Sequence, residues 1–256
     1  MSAPGPPPPW RDTGAAAPAV LAIETATETV GAALCTPEGV RAEFALTGRR
    51  RHVETLTPAI EHLVAQVGAT TADLDLLAVD VGPGLFTGLR VGVATAKALA
   101  QALGIGVVGA TSLEILMAAA ASSGHHGPVL ACVDARRGEV FAEGCAVGEG
   151  DEPGWRFGPG LYTPADLVDA LGCFTGVRLT AVGDGAQRYA EVLAGVPGLE
   201  VVRPALAYPP PATLLDLALR RVLGGEYPAQ PATVVPVYLR EADARVNFAR
   251  AEHRAP

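Results

Sequence analysis

The 256-residue chain is short of several residue types, and each shortage excludes a class of protein. Lys97 is its single lysine and the net charge is −8, so the chain lacks the clustered cations that direct nucleic-acid binding requires. The four cysteines (Cys35, Cys132, Cys145 and Cys173) form no Cys-x-x-Cys pair. Because an export signal is also not recognisable, we expect free thiols and a cytoplasmic protein.

Motifs for catalysis and for metal binding are missing as well. The sequence contains no His-Glu-x-x-His, no Gly-x-Ser-x-Gly elbow and no Walker loop. His52 and His62 are ten residues apart, about three helical turns, which is too far to share a metal ion. His125 and His126 lie in a glycine-flanked loop, where we expect solvent exposure. We therefore predict no metal site, no cofactor and no catalytic residue.

The most informative segment is 74–103. An apolar run at 74–81, typical of a buried strand, stops at Gly82-Pro83-Gly84, and a helix is predicted to follow. Glycine adopts backbone angles that are sterically forbidden to other residues, so a tight loop is predicted at residues 82–84. Thr87 is the predicted N-cap of the helix.

One face of that helix carries only small residues. Gly88, Gly92, Ala96 and Ala100 recur every four residues, although glycine inside a helix costs about 1 kcal/mol relative to alanine. A close backbone contact must compensate, and two alternatives remain open: the strip packs on the protein's own sheet, or it packs on a partner's helix. The charged residues Arg90 and Lys97 argue against a membrane span.

The rest of the chain alternates strands and helices and predicts an α/β fold with a mixed sheet. One side of the helix after His52 is predicted to be apolar and carries Val53, Leu56, Ile60, Leu63, Val64 and Val67. Pro58 either starts the regular part of this helix or kinks it. Other predicted elements are strands at 20–23, 29–34, 40–46, 105–108 and 179–182, a hairpin of 129–134 and 139–147, helices at 112–121, 187–193 and 213–223, and an irregular 148–178 with a helix at 164–171.

Two polar groups need an interpretation. Glu24, Thr25 and Thr27 lie in the first turn, where their side chains either satisfy their own backbone or orient a phosphate. Asp134 and Glu139 flank the hairpin turn around Arg136, and we expect them to form ion pairs there rather than to catalyse. The arginines at 49–51 are interpreted as a solvated loop.

Six segments between about residues 19 and 240 resemble the TsaB family, also called YeaZ, a subunit of the bacterial machinery that makes threonylcarbamoyladenosine in tRNA. The most specific is 82–97, because the family signature is Gly-Pro-Gly-Ser-Phe-Thr-Gly-Leu-Arg and this chain reads Gly-Pro-Gly-Leu-Phe-Thr-Gly-Leu-Arg. The others are 21–27, 52–58, 108–114, 134–140 and 236–240.

The resemblance has departures. Glu24 stands where many members have aspartate, and Leu85 replaces the signature serine; both lean towards TsaD, the related catalytic subunit. TsaD, however, carries a His-x-x-x-His metal motif in the segment corresponding to 110–121, and this chain has no histidine there. The sequence is therefore identified as a member of the TsaB family rather than of TsaD.

The resemblance implies a two-lobed α/β fold of the actin/Hsp70/sugar-kinase kind, built from ribonuclease-H-like sheets around a degenerate nucleotide cleft. Residues 1–18 would be a disordered proline- and alanine-rich tail. The N-terminal lobe would span 19–112, completed by 211–225, and the C-terminal lobe 113–210, with 226–256 an extended tail. The vestigial cleft would contain Glu24, Thr25, Thr27, Gly82, Gly84 and Asp184.

It also implies a non-catalytic subunit. The chain would bind a TsaD-type catalytic subunit, join a TsaE-type ATPase in a ternary complex or form a homodimer, contact tRNA only indirectly, and contact no membrane. The family pairs through two helices of the N-terminal lobe. The interface residues expected here are His52, Leu56, Ile60, Leu63, Gly88, Arg90, Gly92, Ala96 and Ala100.

Two other functions compete. An ATP-dependent phosphotransferase of the same fold would hold nucleotide at Glu24, Asp184 and the glycine loops, but the chain offers one lysine and no clear catalytic base. A metallopeptidase would need metal ligands that the sequence does not supply.

Overall fold

The computed structural model describes residues 17–48, 52–147, 155–174, 176, 178–202 and 204–240. Nearly all of the predicted tail at 1–18, the arginines at 49–51 and the end of the C-terminal tail lie outside the described residues. The strands are β1 (Val20–Glu24), β2 (Thr29–Cys35), β3 (Arg41–Thr47), β4 (Leu76–Asp80), β5 (Gly106–Ala110), β6 (Gly127–Arg136), β7 (Glu139–Val147), β8 (Arg156–Tyr162), β9 (Leu179–Val182) and β10 (Leu199–Val201). The helices are α1 (His52–Gln66), α2 (Phe86–Leu103), α3 (Ser112–Ser122), α4 (Pro164–Leu171), α5 (Asp184–Arg188), α6 (Ala190–Leu193) and α7 (Pro211–Leu223).

The strands form two five-stranded sheets with the same internal order. The first is β3-β2-β1-β4-β5 and the second is β8-β7-β6-β9-β10. In each, the first three strands along the chain are antiparallel and the fourth joins the first in parallel. The chain therefore builds one sheet topology twice, and we call the two halves lobe 1 and lobe 2.

Strand alternation divides the core of lobe 1 into two layers, because successive side chains of a strand point to opposite faces. Leu21 and Ile23 of β1 pack with α1 and α2 on one face. Val20 and Ala22 pack with α3 and α7 on the other. Since α3 also packs on β6 and β7 of lobe 2, this second layer adjoins the junction between the lobes.

Several predicted elements differ from the structure. Strands β8 and β10 were not predicted, because β8 carries two glycines and a proline and β10 has three residues. The predicted helix at 187–193 is two short helices, α5 and α6, separated at Tyr189. Helix α1 runs from His52 through Pro58, so Pro58 does not start it.

Helix α2 begins at Phe86 rather than after a Thr87 cap. Leu85 occupies the cap position, and its amide donates to the Ala26 carbonyl at 2.6 Å. This long-range bond anchors the residue before the helix, which a local capping rule does not detect.

Candidate functional site

The glycine loop lies directly on the β1–β2 turn. A Cβ at Gly84 would be 2.1 Å from the Ala26 carbonyl oxygen, so only glycine allows this approach. Gly82 has a φ of +96°, a left-handed conformation that glycine adopts without strain. The loop is thus built to contact the turn, not to leave space between them.

The small-residue strip of α2 continues the same contact. A Cβ at Gly88 would lie 2.0 Å from the Thr25 carbonyl oxygen, and one at Gly92 would lie 2.2 Å from Thr25 Oγ1. Thr25 Oγ1 donates to the Gly88 carbonyl at 2.8 Å. Ala96 and Ala100 are completely buried in the same core. Of the two alternatives, the strip packs on the protein's own sheet.

The interface residues expected on α1 also point inwards. His52 is buried, and its Nε2 lies 3.0 Å from the Thr27 carbonyl oxygen. Leu56, Ile60 and Leu63 belong to the lobe 1 core. Together with the strip, eight of the nine expected interface residues are buried, and Arg90 is the exposed one. Most of the surface of these eight residues is therefore covered by lobe 1 itself, although His52 and Gly88 still line a cleft at the start of the two helices.

Other side chains of the two helices are exposed. Val53, placed by its spacing on the apolar side of α1, is 66% exposed, and Phe86 is 50% exposed. Both line a cleft of about 380 Å³ at the start of α1 and α2. Arg90 stacks 3.7 Å above the Phe86 ring, and Tyr238, from the C-terminal segment, lies 5.6 Å from that ring between centroids. We call these four side chains the Val53–Phe86 surface.

Behind the turn lies a buried pair of carboxyl groups. Glu24 and Asp80 end the parallel neighbours β1 and β4, and both side chains are 0% exposed. Glu24 accepts the Ala26 amide at 2.9 Å, and Asp80 accepts the Gly82 amide at 2.6 Å and the Ser112 hydroxyl at 2.8 Å. Burial raises the pKa of both carboxyls, and repulsion from Asp80 raises the pKa of Glu24 further.

Sequence reasoning missed Asp80, although its position carries a signal. It ends a buried parallel strand and lies two residues before Gly82. Because the carboxyl ends of parallel strands meet at one edge, Asp80 could have been placed beside Glu24. Five of the six expected cleft residues (Glu24, Thr25, Thr27, Gly82 and Gly84) do lie together here.

Asp184 lies in lobe 2. It accepts the Asp134 amide at 2.9 Å, and burial raises the pKa of Asp184 to about 6. Asp134 in turn pairs with Arg136 at 2.9 Å, and Arg136 reaches across to Glu28 of lobe 1 at 2.6 Å. The hairpin turn therefore carries an ion pair between the lobes.

The hairpin carboxylates Asp134 and Glu139 both form ion pairs, as expected, but with different arginines. Asp134 binds Arg136, but Glu139 pairs with Arg240 of the C-terminal segment. Arg136 and its neighbour Arg137 adopt φ values of +64° and +56°, which are uncommon for non-glycine residues. The bonds to Asp134 and Glu28 hold Arg136 in that conformation.

A cavity of about 830 Å³ separates the glycine loop from the hairpin turn. Its wall is formed by Phe86, Arg90 and Phe141, and the C-terminal segment at 237–240 closes one side. Across the part of the chain that the structure describes, His, Cys, Asp and Glu side chains form no group of three that could hold a metal ion. Among the same residues, no helix has the length and hydropathy needed to span a membrane.

Comparison with known proteins identifies the family. The profile of TsaD, tRNA N6-adenosine threonylcarbamoyltransferase, matches residues 39–148. An uncharacterised protein of Mycobacterium tuberculosis is 35% identical over 229 residues, which are 88% of this chain and 93% of that protein. The TsaB protein of Escherichia coli, named for tRNA threonylcarbamoyladenosine biosynthesis, is 35% identical over 122 residues. YeaZ from Pseudomonas aeruginosa superposes with a TM-score of 0.73 at 26% identity, covering 87% of this chain and 100% of YeaZ. The chain belongs to the TsaB/YeaZ family.

The extent of these matches differs. The match to Escherichia coli TsaB spans 48% of this chain and 52% of TsaB, about half of each. The structural match to YeaZ extends over both lobes. The expected two-lobed α/β fold is therefore confirmed.

Proposed function

We propose that the chain is a non-catalytic subunit that binds and supports a TsaD-type enzyme in forming N6-threonylcarbamoyladenosine beside the anticodon of tRNA. Membership of the TsaB/YeaZ family carries this proposal, since the named relatives belong to tRNA threonylcarbamoyladenosine biosynthesis. A TsaE-type ATPase joins the complex. The net charge of −8 favours an indirect contact with tRNA.

The polar groups around the cleft support a non-catalytic role. Glu24 and Asp80 are completely buried, the Thr25 hydroxyl is bonded to the Gly88 carbonyl, and the Ala26 amide is bonded to Glu24. A phosphotransferase would need such groups to reach a nucleotide. Because they bond within lobe 1 instead, phosphoryl transfer would require the glycine loop to leave the turn.

The Val53–Phe86 surface is the partner site that we propose. Exposed aromatic and arginine side chains are enriched among the residues that dominate binding energy at protein interfaces. The TsaD profile matches a region containing α1 and α2, so this chain and its proposed partner are related there. Related lobes can pair about a pseudo-two-fold axis, with the same helices on both sides, and a homodimer would use the same surface.

The test is threonylcarbamoylation of tRNA by the organism's own TsaD and TsaE, with threonylcarbamoyl-adenylate supplied, with and without this chain. We expect modification to depend on this chain and the chain to do nothing alone. Modification that proceeds equally well without it would refute the proposed function.

A matched pair of variants tests the surface separately. Val53→Asp places a charge on the surface, and Val192→Asp places the same charge on α6 of lobe 2, where Val192 is 45% exposed. We expect Val53→Asp to weaken TsaD binding at least tenfold in calorimetry and Val192→Asp to leave it unchanged. Equal affinities would refute the surface while leaving the function open to the modification assay.

A further inference from the structure

The Glu24–Asp80 pair contains two oxygen atoms without a donor. Glu24 Oε1 and Asp80 Oδ1 accept the hydrogen bonds described above. Glu24 Oε2 and Asp80 Oδ2 are buried and have no hydrogen-bond partner among the described residues. The two carboxyl groups follow the paired residues Ile23 and Val79 on neighbouring parallel strands, which places them side by side. If both carboxyl groups were ionised, they would repel each other, and Glu24 Oε2 and Asp80 Oδ2 would remain buried without a hydrogen-bond donor.

We propose that Glu24 and Asp80 share one proton at neutral pH and that this proton locks the glycine loop to the β1–β2 turn. One carboxyl then donates its O–H to the other, so that both orphan oxygens are satisfied and the pair carries a single negative charge. Release of the proton to solvent leaves two buried carboxylates. Their repulsion separates β1 from β4 at the end where the loop begins.

Three structural elements form hydrogen bonds to the Glu24–Asp80 pair, so the protonation of the pair affects all three. The Ala26 amide belongs to the β1–β2 turn and the Gly82 amide to the glycine loop, whereas Ser112 is the first residue of α3. Helix α3 packs on β6 and β7 of lobe 2. Opening the pair therefore loosens the loop, the turn and the helix that joins lobe 1 to lobe 2.

The surrounding charged groups do not replace the proton. From α3, Glu114 raises the pKa of Asp80 by repulsion, and its own charge is held by Arg221 of α7 at 2.9 Å. From α1, His52 contacts the Thr27 carbonyl at the far end of the turn, and Glu28 is paired with Arg136 of lobe 2.

The charges of α2 are also directed elsewhere. Arg90 stacks on Phe86 at the surface, and Lys97 donates to the carbonyls of Ala232 and Val234. No cation of the described residues bonds to Glu24 or Asp80. The proton is thus the group that compensates the paired carboxyls.

The test compares Glu24→Gln with the wild-type chain by urea denaturation between pH 6.5 and 8.5. The glutamine amide supplies a permanent N–H to Asp80. In wild type the folding equilibrium constant is expected to fall about tenfold per pH unit more steeply than in Glu24→Gln, because the folded state holds one proton that the unfolded state has lost. Asp184, with its pKa of about 6, is present in both chains, so its titration cancels in the difference between them.

Glu54→Gln, the same change at an exposed position of α1, is the control and should keep the wild-type slope. Amide hydrogen exchange at Gly82 and Ala26 should accelerate with pH beyond the intrinsic rate in wild type but not in Glu24→Gln. Parallel pH profiles for wild type and Glu24→Gln would overturn the proposal.

A second measurement, made on the wild-type chain, tests the proposal even if Glu24→Gln does not fold. Carbon-13 labelling of the wild-type chain reports the ionisation of each carboxyl directly, and Asp80→Asn supplies the amide from the other side. We expect one of the two carboxyl carbons to resonate at the protonated position at pH 7. Both carbons at the ionised position would overturn the proposal regardless of either variant.

Discussion

The contact between Gly92 and Thr25 predicts that Gly92→Ala changes the free energy of unfolding in opposite directions in the wild-type and Thr25→Ala chains. Gly92→Ala adds a Cβ that would lie 2.2 Å from Thr25 Oγ1, whereas the next atoms, Thr25 Cβ and Ile23 Cγ2, are 3.4 and 3.6 Å away. The threonine oxygen is therefore the one severe obstacle. Thr25→Ala removes it and leaves ordinary contacts. Gly92→Ala should destabilise the wild-type chain and stabilise the Thr25→Ala chain.

The magnitudes follow from three contributions. Overpacking a core costs about 1–3 kcal/mol. Displacing Thr25 Oγ1 from the Gly88 carbonyl costs about 1 kcal/mol more. Alanine in place of glycine inside a helix stabilises the folded state by about 1 kcal/mol. We expect a net loss of about 1–3 kcal/mol in the wild-type background, and a gain of about 0.5–1 kcal/mol after Thr25→Ala.

Urea denaturation of the four chains in this double-mutant cycle gives the coupling free energy, provided that the m-values agree. Thr25→Val is the control, because it keeps an atom of similar size where the hydroxyl was and should not rescue Gly92→Ala. Gly88→Ala is a second control, since its Cβ meets the Thr25 backbone carbonyl, which no side-chain change removes. An equal effect of Gly92→Ala in the wild-type and Thr25→Ala backgrounds would refute the packing argument.

Three further predictions concern lobe 2 and the C-terminal segment. Asp184→Asn should stabilise the protein at pH 7 by at most about 3 kcal/mol. Burial raises the pKa of Asp184 to about 6, so the wild-type protein loses stability as the pH rises from about 4 to 6. Urea unfolding curves at pH 4 and 7 check this, and the same pH dependence of stability in both chains would contradict it. Lys97→Met removes two bonds to backbone carbonyls of the C-terminal segment and should cost about 1 kcal/mol, with faster hydrogen exchange near residue 237; unaltered exchange would argue against this anchoring. Cys173 is exposed and Cys132 is buried, so a thiol reagent should label Cys173 first and Cys132 at the rate of unfolding; mass spectrometry that finds equal rates would exclude this arrangement.

Local patterns in the sequence predicted the main elements but not their tertiary causes. The glycines at 82–92 were recognisable as unusual because each costs backbone entropy. At Gly84 and Gly88 the cause is the approach of the Thr25–Ala26 backbone, which joins segments about sixty residues apart and has no local signal. Strand β8 also has no local signal, because its glycines and proline are not typical of a strand. The start of α2 likewise depends on a long-range hydrogen bond from Leu85 to Ala26.

The expected interface residues show why an amphipathic pattern cannot by itself locate a binding surface. Periodicity identifies the side of a helix that is apolar, and in α1 and α2 that side fills the core of lobe 1. We expect a partner to contact mainly the remaining positions, where the sequence shows a mixture of polar and apolar residues without a period. Val53 lies on the side of α1 that the sequence predicts to be apolar, and Phe86 precedes the predicted start of α2. Their exposure of 66% and 50% becomes evident only when the packing of both helices on the protein's own sheet is known. We expect a partner that binds α1 and α2 to contact the exposed side chains of both helices, which periodicity alone does not distinguish from the buried ones.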